Sequence, residues 1–119
     1  MTTTIFDLKE KNFSIVGADS RLTGDIYYSG HVRFYAAHEG KLQMSPESKL
    51  IIERRGSVSG DLHCHELEIH GIFKGVCRSS GRVIIFPGAR VFGEIHAESI
   101  IVYPGAQIDM EGHTAQTIN

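Results

Sequence analysis

Apolar residues alternate with polar ones in short runs along this chain, and the runs themselves come back about every seventeen residues. One recurring unit is an apolar residue, a spacer, Gly, a spacer and a second apolar residue. It reads Leu22-Thr23-Gly24-Asp25-Ile26, Val58-Ser59-Gly60-Asp61-Leu62, Phe73-Lys74-Gly75-Val76-Cys77 and Val91-Phe92-Gly93-Glu94-Ile95, with weaker copies at Leu42-Gln43-Met44 and Ile108-Asp109-Met110. Central positions 24, 44, 60, 75, 93 and 110 give steps of 20, 16, 15, 18 and 17. The nearest pair of copies, Ile84-Ile85-Phe86-Pro87-Gly88-Ala89 and Ile101-Val102-Tyr103-Pro104-Gly105-Ala106, differ by a shift of seventeen.

Each unit carries a second apolar pair two residues apart: Val32 and Phe34, Leu50 and Ile52, Leu67 and Ile69, Val83 and Ile85, Ile100 and Val102. Alternation is the period of a strand with one buried face. No long stretch keeps a helical period. Short strands of this kind bury nothing alone, so the units must stack, strand upon parallel strand. The pattern predicts an all-β parallel solenoid of about six coils. Its inward ladders would be Leu22, Val58, Phe73, Val91, Ile108 and Ile26, Leu62, Cys77, Ile95. A close backbone bend is expected at the central glycines. A β-sandwich would call for two-residue hairpin loops such as Asn-Gly or Asp-Gly, and neither dipeptide occurs.

A solenoid ends in strand edges with unpaired N–H and C=O groups, which monomeric repeat proteins cover with polar caps. Here the end coils stay apolar: Phe13, Ile15, Leu22 and Ile26 at one tip, Ile100, Val102, Ile108 and Met110 at the other. These residues are the candidate polymerisation surfaces. A second candidate surface lies on the side. Ile84, Phe86, Ile101 and Tyr103 alternate with inward residues, which makes an outward apolar strip suited to bundling or to a partner.

Composition narrows the picture. At 119 residues with 41% apolar content, the chain fits one domain with one core. The formal net charge of -2 gives no expectation of nucleic acid. Arg54, Arg55, Lys74, Arg78, Arg82 and Arg90 read as a solvated face. Cys64 and Cys77, without an export signal, read as free thiols, and the expected location is cytoplasmic.

Candidate chemistry is thin. His63, Cys64, His65, His70, Cys77 and His96 are zinc-type ligands. Cys77 falls on an inward ladder, however, and His63 and His96 occupy equivalent positions two coils apart, about 9.6 Å at the strand spacing. No metal and no cofactor are expected. Asp25, Asp61 and Glu94 recur just after the glycine and read as solubilising positions rather than paired catalytic carboxylates. No nucleophile elbow, phosphate loop or dinucleotide fingerprint is present. The enzyme alternative is a left-handed β-helix of the hexapeptide-repeat acyltransferase kind, whose strict six-residue period breaks after Ile85, Val91 and Ala97. A small solenoid binding module is the other alternative.

The series Leu-Thr-Gly-Asp-Ile, Val-Ser-Gly-Asp-Leu and Val-Phe-Gly-Glu-Ile, with its interposed apolar pairs, resembles the bactofilins over residues 13–112. The resemblance implies a right-handed, three-sided parallel β-helix. It also implies cytoskeletal filaments formed without nucleotide through the end coils, and scaffolding of cell shape or envelope. Self is the expected partner, with cell-wall or envelope proteins as further candidates. Residues 1–12 would be a flexible segment and 113–119 a short polar tail. Many relatives carry an N-terminal membrane-targeting segment, which makes Ile5, Phe6 and Leu8 a candidate membrane contact at the inner face of the cytoplasmic membrane. Met44 standing where Gly is usual, with Pro46 close by, suggests an irregular second coil, and an insertion over residues 35–40 lengthens the first.

Overall fold

The computed structural model describes the backbone of residues 7–8, 13–16, 21–113 and 116–117, and the side chains of residues 21–109. All secondary structure among these residues is β, and every strand pairing is parallel. The chain alternates between two sheets as it advances. An outer strand pair, β1 (Asp7–Leu8) and β2 (Phe13–Val16), comes first. Five complete coils follow. They are β3 (Arg21–Thr23), β4 (Ile26–Tyr28) and β5 (His31–Phe34); β6 (Ala37–Met44) and β7 (Lys49–Ile52); β8 (Ser57–Cys64) and β9 (Glu66–Ile69); β10 (Ile72–Ser79) and β11 (Arg82–Ile85); β12 (Arg90–His96) and β13 (Ser99–Val102). A last pair, β14 (Gln107–His113) and β15 (Gln116–Thr117), closes the series. The first sheet runs β1-β4-β6-β8-β10-β12-β14, with β3 beside β6, and the second runs β15-β13-β11-β9-β7-β5-β2. The result is a β-solenoid of about five turns, measuring 40 × 26 × 21 Å.

Register turns the sequence repeat into ladders. In the second sheet, Val32, Leu50, Leu67, Val83 and Ile100 stack, and so do Phe34, Ile52, Ile69, Ile85 and Val102. In the first, Ile26, Leu42, Leu62, Cys77 and Ile95 stack. All of these are buried except Val102, which packs half-buried against the core near one tip. Each buried Leu, Ile or Phe removes enough apolar surface to contribute roughly 1.5–3 kcal/mol, so the stacking of coils is what stabilises strands too short to persist alone.

The second coil departs from the expected registration. His38, Gly40 and Leu42 align with Val58, Gly60 and Leu62, so the central residue is Gly40 and not Met44. Successive central positions are thus 24, 40, 60, 75, 93 and 110, at steps of 16, 20, 15, 18 and 17. Residues 35–40 are no insertion, since β6 already begins at Ala37. The extra length falls in the next corner, where four residues, 45–48, join β6 to β7. The cause of this difference is chemical. The ladder Leu22, His38, Val58, Phe73, Val91, Ile108 contains a histidine, which hides the repeat. His38 is only 1% exposed, and its ring nitrogens have no hydrogen-bond partner among the described residues.

The central glycines are required by the stacking itself. Gly40, Gly60, Gly75 and Gly93 have φ of 126, 120, 130 and 122°, a region L side chains rarely enter. A Cβ on Gly40 would also lie 2.5 Å from the carbonyl oxygen of Gly24 one coil away. The glycine column therefore lets each first-sheet strand bend at its middle while neighbouring backbones stay at hydrogen-bonding distance.

Candidate functional site

Parallel stacking stops at the edge strands of the two tips. Among the described residues, β1 pairs only with β4, β2 only with β5, β14 only with β12 and β15 only with β13. Each outermost strand thus has one side without a strand partner, and such an edge is a template for another chain.

The residues expected at the tips fall at different depths. Ile26 and Ile100 are fully buried and lie one strand in from the ends, because β4 pairs with both β1 and β6, and β13 with both β11 and β15. Leu22, Val102 and Ile108 are half-buried and pack against the core. Ile108 stands on the outermost strand β14, in register with Val91. Met110 shares that strand and stands in register with Gly93. On β2, Phe13 is in register with His31 and Ile15 with Arg33. The side chains of Phe13, Ile15 and Met110 lie outside the described residues, as does that of Leu8, which is in register with Tyr28. Ile5 and Phe6 lie outside them altogether. Among the described residues, no helix is long and apolar enough to cross a membrane.

The lateral strip is brought together as one surface. Ile84 and Ile101 are in register on β11 and β13, and both are half-buried. Phe86 and Tyr103 follow at the corners, with ring centroids 5.4 Å apart and planes at 21°. Local chemistry sets them there. Phe86-Pro87-Gly88-Ala89 closes with Ala89 N–H donating to the Phe86 carbonyl at 3.1 Å, and Gly88 takes φ 89°. Pro followed by a positive-φ Gly is the signature of a type II turn. Tyr103-Pro104-Gly105-Ala106 repeats the sequence, with Gly105 at φ 99°. The backbone then carries the column onward, since Phe86 N–H donates to Ile69 and Tyr103 N–H to Ile85.

Two members of this surface escaped the sequence reading. His70 stacks on Phe86 with centroids 4.2 Å apart and planes at 12°, extending the aromatic column to three coils. Ile51 stands in the same outward column as Glu68, Ile84 and Ile101, and is 9% exposed. A polar neighbour, Glu68, interrupts the apolar run and masked the link; it is held by Lys49 at 2.6 Å. On the first sheet, Phe92 faces out beneath the Lys74 ammonium, 5.8 Å from its ring centroid.

Apart from the two cysteines, which touch, the candidate histidines and carboxylates are interleaved with other residues. Arg78 stands in register between His63 and His96, as the spacing implied. Lys41 is in register with Asp61, and Val76 separates Asp61 from Glu94. Cys64 and Cys77 are free and buried. A hydrogen bond to Cys64, and then burial, push the Cys77 thiol well above its ordinary pKa, the opposite of what a thiolate nucleophile needs. Among the described residues, no group of three or more His, Cys, Asp and Glu is placed to hold a metal ion.

A family model described as bactofilin, polymer-forming cytoskeletal, matches residues 14–113. No curated protein and no solved structure matches the chain.

Proposed function

Because the chain belongs to the bactofilin family, we propose that it is a structural subunit that joins tip to tip into filaments without nucleotide and serves as a scaffold for cell shape or envelope organisation. The observation that carries this reading is that, among the described residues, the edge strands β1, β2, β3, β14 and β15 each pair on one side only, whereas the strands between them pair on both. Backbone pairing across such an edge is additive with apolar stacking, so the half-buried Leu22 near one tip, and Val102 and Ile108 near the other, support adhesion of like to like. The reading includes the right-handed, three-sided form of the family; the bends at Gly40, Gly60, Gly75 and Gly93, which divide each first-sheet strand in two, are in keeping with its three sides.

The side surface of Ile84, Phe86, Ile101 and Tyr103, with His70, is assigned to lateral bundling or to an envelope partner. Membrane contact through Ile5, Phe6 and Leu8 belongs to the same reading. Three apolar side chains bury too little to hold one subunit on a bilayer, and only a polymer would add enough contacts. Deleting residues 2–8 should then reduce sedimentation with lipid vesicles.

The deciding experiment is negative-stain microscopy of the purified chain across a concentration series, with no nucleotide added. Filaments whose onset depends on concentration are expected. A monodisperse small oligomer would favour a binding module or an enzyme instead.

A further inference from the structure

The corners that lead from the first sheet to the second differ in length along one edge of the rod. Four residues, 45–48, join β6 to β7; His65 alone joins β8 to β9; Ser80 and Gly81 join β10 to β11. The longest corner therefore stands directly beside the shortest. Within the long corner Ser48 is buried, and the Ser45 N–H donates to the Tyr28 carbonyl of the preceding coil at 3.0 Å. The exposed Pro46 and Glu47 form its crest. The short corner leaves a cleft of about 600 Å³ next to that crest. Ser45 and Pro46 make one wall, His63 and Cys64 the floor, and Arg78 with Ser80 the other wall.

Ridge and cleft are complementary in charge. The cleft carries the Arg78 guanidinium and the His63 imidazole, and among the described residues no carboxylate lines it. Glu47 and Arg78 are both exposed, and neither has an ion-pair partner among the described residues. Within one chain they belong to the second and fourth coils, two strand spacings or about 9.6 Å apart along the rod.

A ridge beside its own complement is what a twofold contact requires. In an isologous pair, residue i of one copy meets residue j of the other, and j meets i. A twofold axis crossing the rod between the second and third coils exchanges those coils. It turns the second copy antiparallel and sets the ridge of each copy opposite the cleft of the other. Both halves of the contact then form together. The edge lies at the opposite end of the second-sheet strands from Phe86 and Tyr103, so neither the tips nor the aromatic strip takes part.

We propose that two copies of this chain pair side by side and antiparallel along this edge, with the Pro46–Glu47 ridge of each seated in the other's cleft and Glu47 meeting Arg78 of the second copy.

The test is sedimentation equilibrium of the full chain as Glu47→Arg, as Arg78→Glu, and as the two variants mixed one to one. In Glu47→Arg alone, both contacts set arginine against arginine. In Arg78→Glu alone, both set glutamate against glutamate. Between unlike copies in the mixture, each contact again opposes arginine and glutamate. Self-association of each variant alone should be about tenfold weaker than that of the parent, since the symmetry makes every change count twice. The mixture should recover the parent's association. Tip joining is the same in all of these samples, so the differences report the side contact alone, whether or not filaments grow. Should either variant lose its β signal in circular dichroism, Glu47→Gln and Arg78→Gln decide the matter, each with weakened pairing expected. Parental association in the single variants, or no recovery in the mixture, would overturn the proposal.

Discussion

A Cβ on Gly75 would collide with the carbonyl oxygen of Gly60 on the coil beside it. The pair belongs to a column in which every copy of the backbone passes close to the next. Gly75→Ala therefore meets two penalties, a φ of 130° and a contact with backbone that cannot move aside. The expected loss is about 2 kcal/mol or more, at the upper end of the usual cost of such backbone strain. Gly88→Ala is the matched control, because its φ is 89° but a Cβ there meets nothing within 4 Å. Thermal unfolding followed by circular dichroism should show the larger drop for Gly75→Ala. Equal drops would mean that strain alone, and not the contact between coils, sets the requirement.

His38 should make the fold sensitive to acid. Burial, the largest influence, holds its pKa below the ordinary 6.5; the backbone at Lys41 and Gly40 and the carboxylates of Asp25 and Glu39 pull the other way. The unfolded chain thus binds a proton more readily than the folded one as pH falls below 6.5, and stability drops through that window down to the folded-state pKa. His38→Leu would match its ladder neighbours Leu22 and Val58 and relieve two unpartnered nitrogens. It should gain about 1–3 kcal/mol at neutral pH and flatten the acid slope. Denaturant titrations at several pH values measure both effects, and an unchanged slope would move the acid sensitivity to another group.

Ile108→Asp should spare the fold and stop filament growth. The residue is half-buried on β14, at the end of its ladder, so its replacement removes less packing than the same change at Val91, which has neighbours on both sides. A carboxylate at that edge instead opposes burial against a second copy. Light scattering and microscopy read the polymer, and circular dichroism reads the fold. Parental filaments would place the joining surface elsewhere.

Phe86→Ser with Tyr103→Ser should thin bundles and leave single filaments in place. Each lost aromatic contact removes about 0.5–1.5 kcal/mol beyond its buried area, which the interior ladders can absorb. Filament width in micrographs is the readout. A chain that no longer folds would show that the strip is part of the core.

The fold was legible because the interior has a strict geometry and the residues obey it. Val83 over Leu67, or Ile95 over Cys77, is visible as a repeat before any coordinates exist. His38 broke that legibility. A single polar residue on an inward ladder removed one copy from the pattern and moved the second coil's centre four residues, from 40 to 44. The side strip was only partly visible for a similar reason. Ile84 and Ile101 read as a pair from alternation, whereas the stacking of His70 on Phe86 depends on corner geometry that hydropathy does not encode.

The corners, by contrast, obey no fixed length. Four residues join β6 to β7 and one joins β8 to β9, yet Leu50 still meets Leu67 on the far side. Within that corner Ser48 is buried and Ser45 bonds to the neighbouring coil, so the exposed Pro46 and Glu47 are the natural grafting point: a foreign epitope or a small fluorescent label spliced between them would ride on the outside of the rod without shifting a rung.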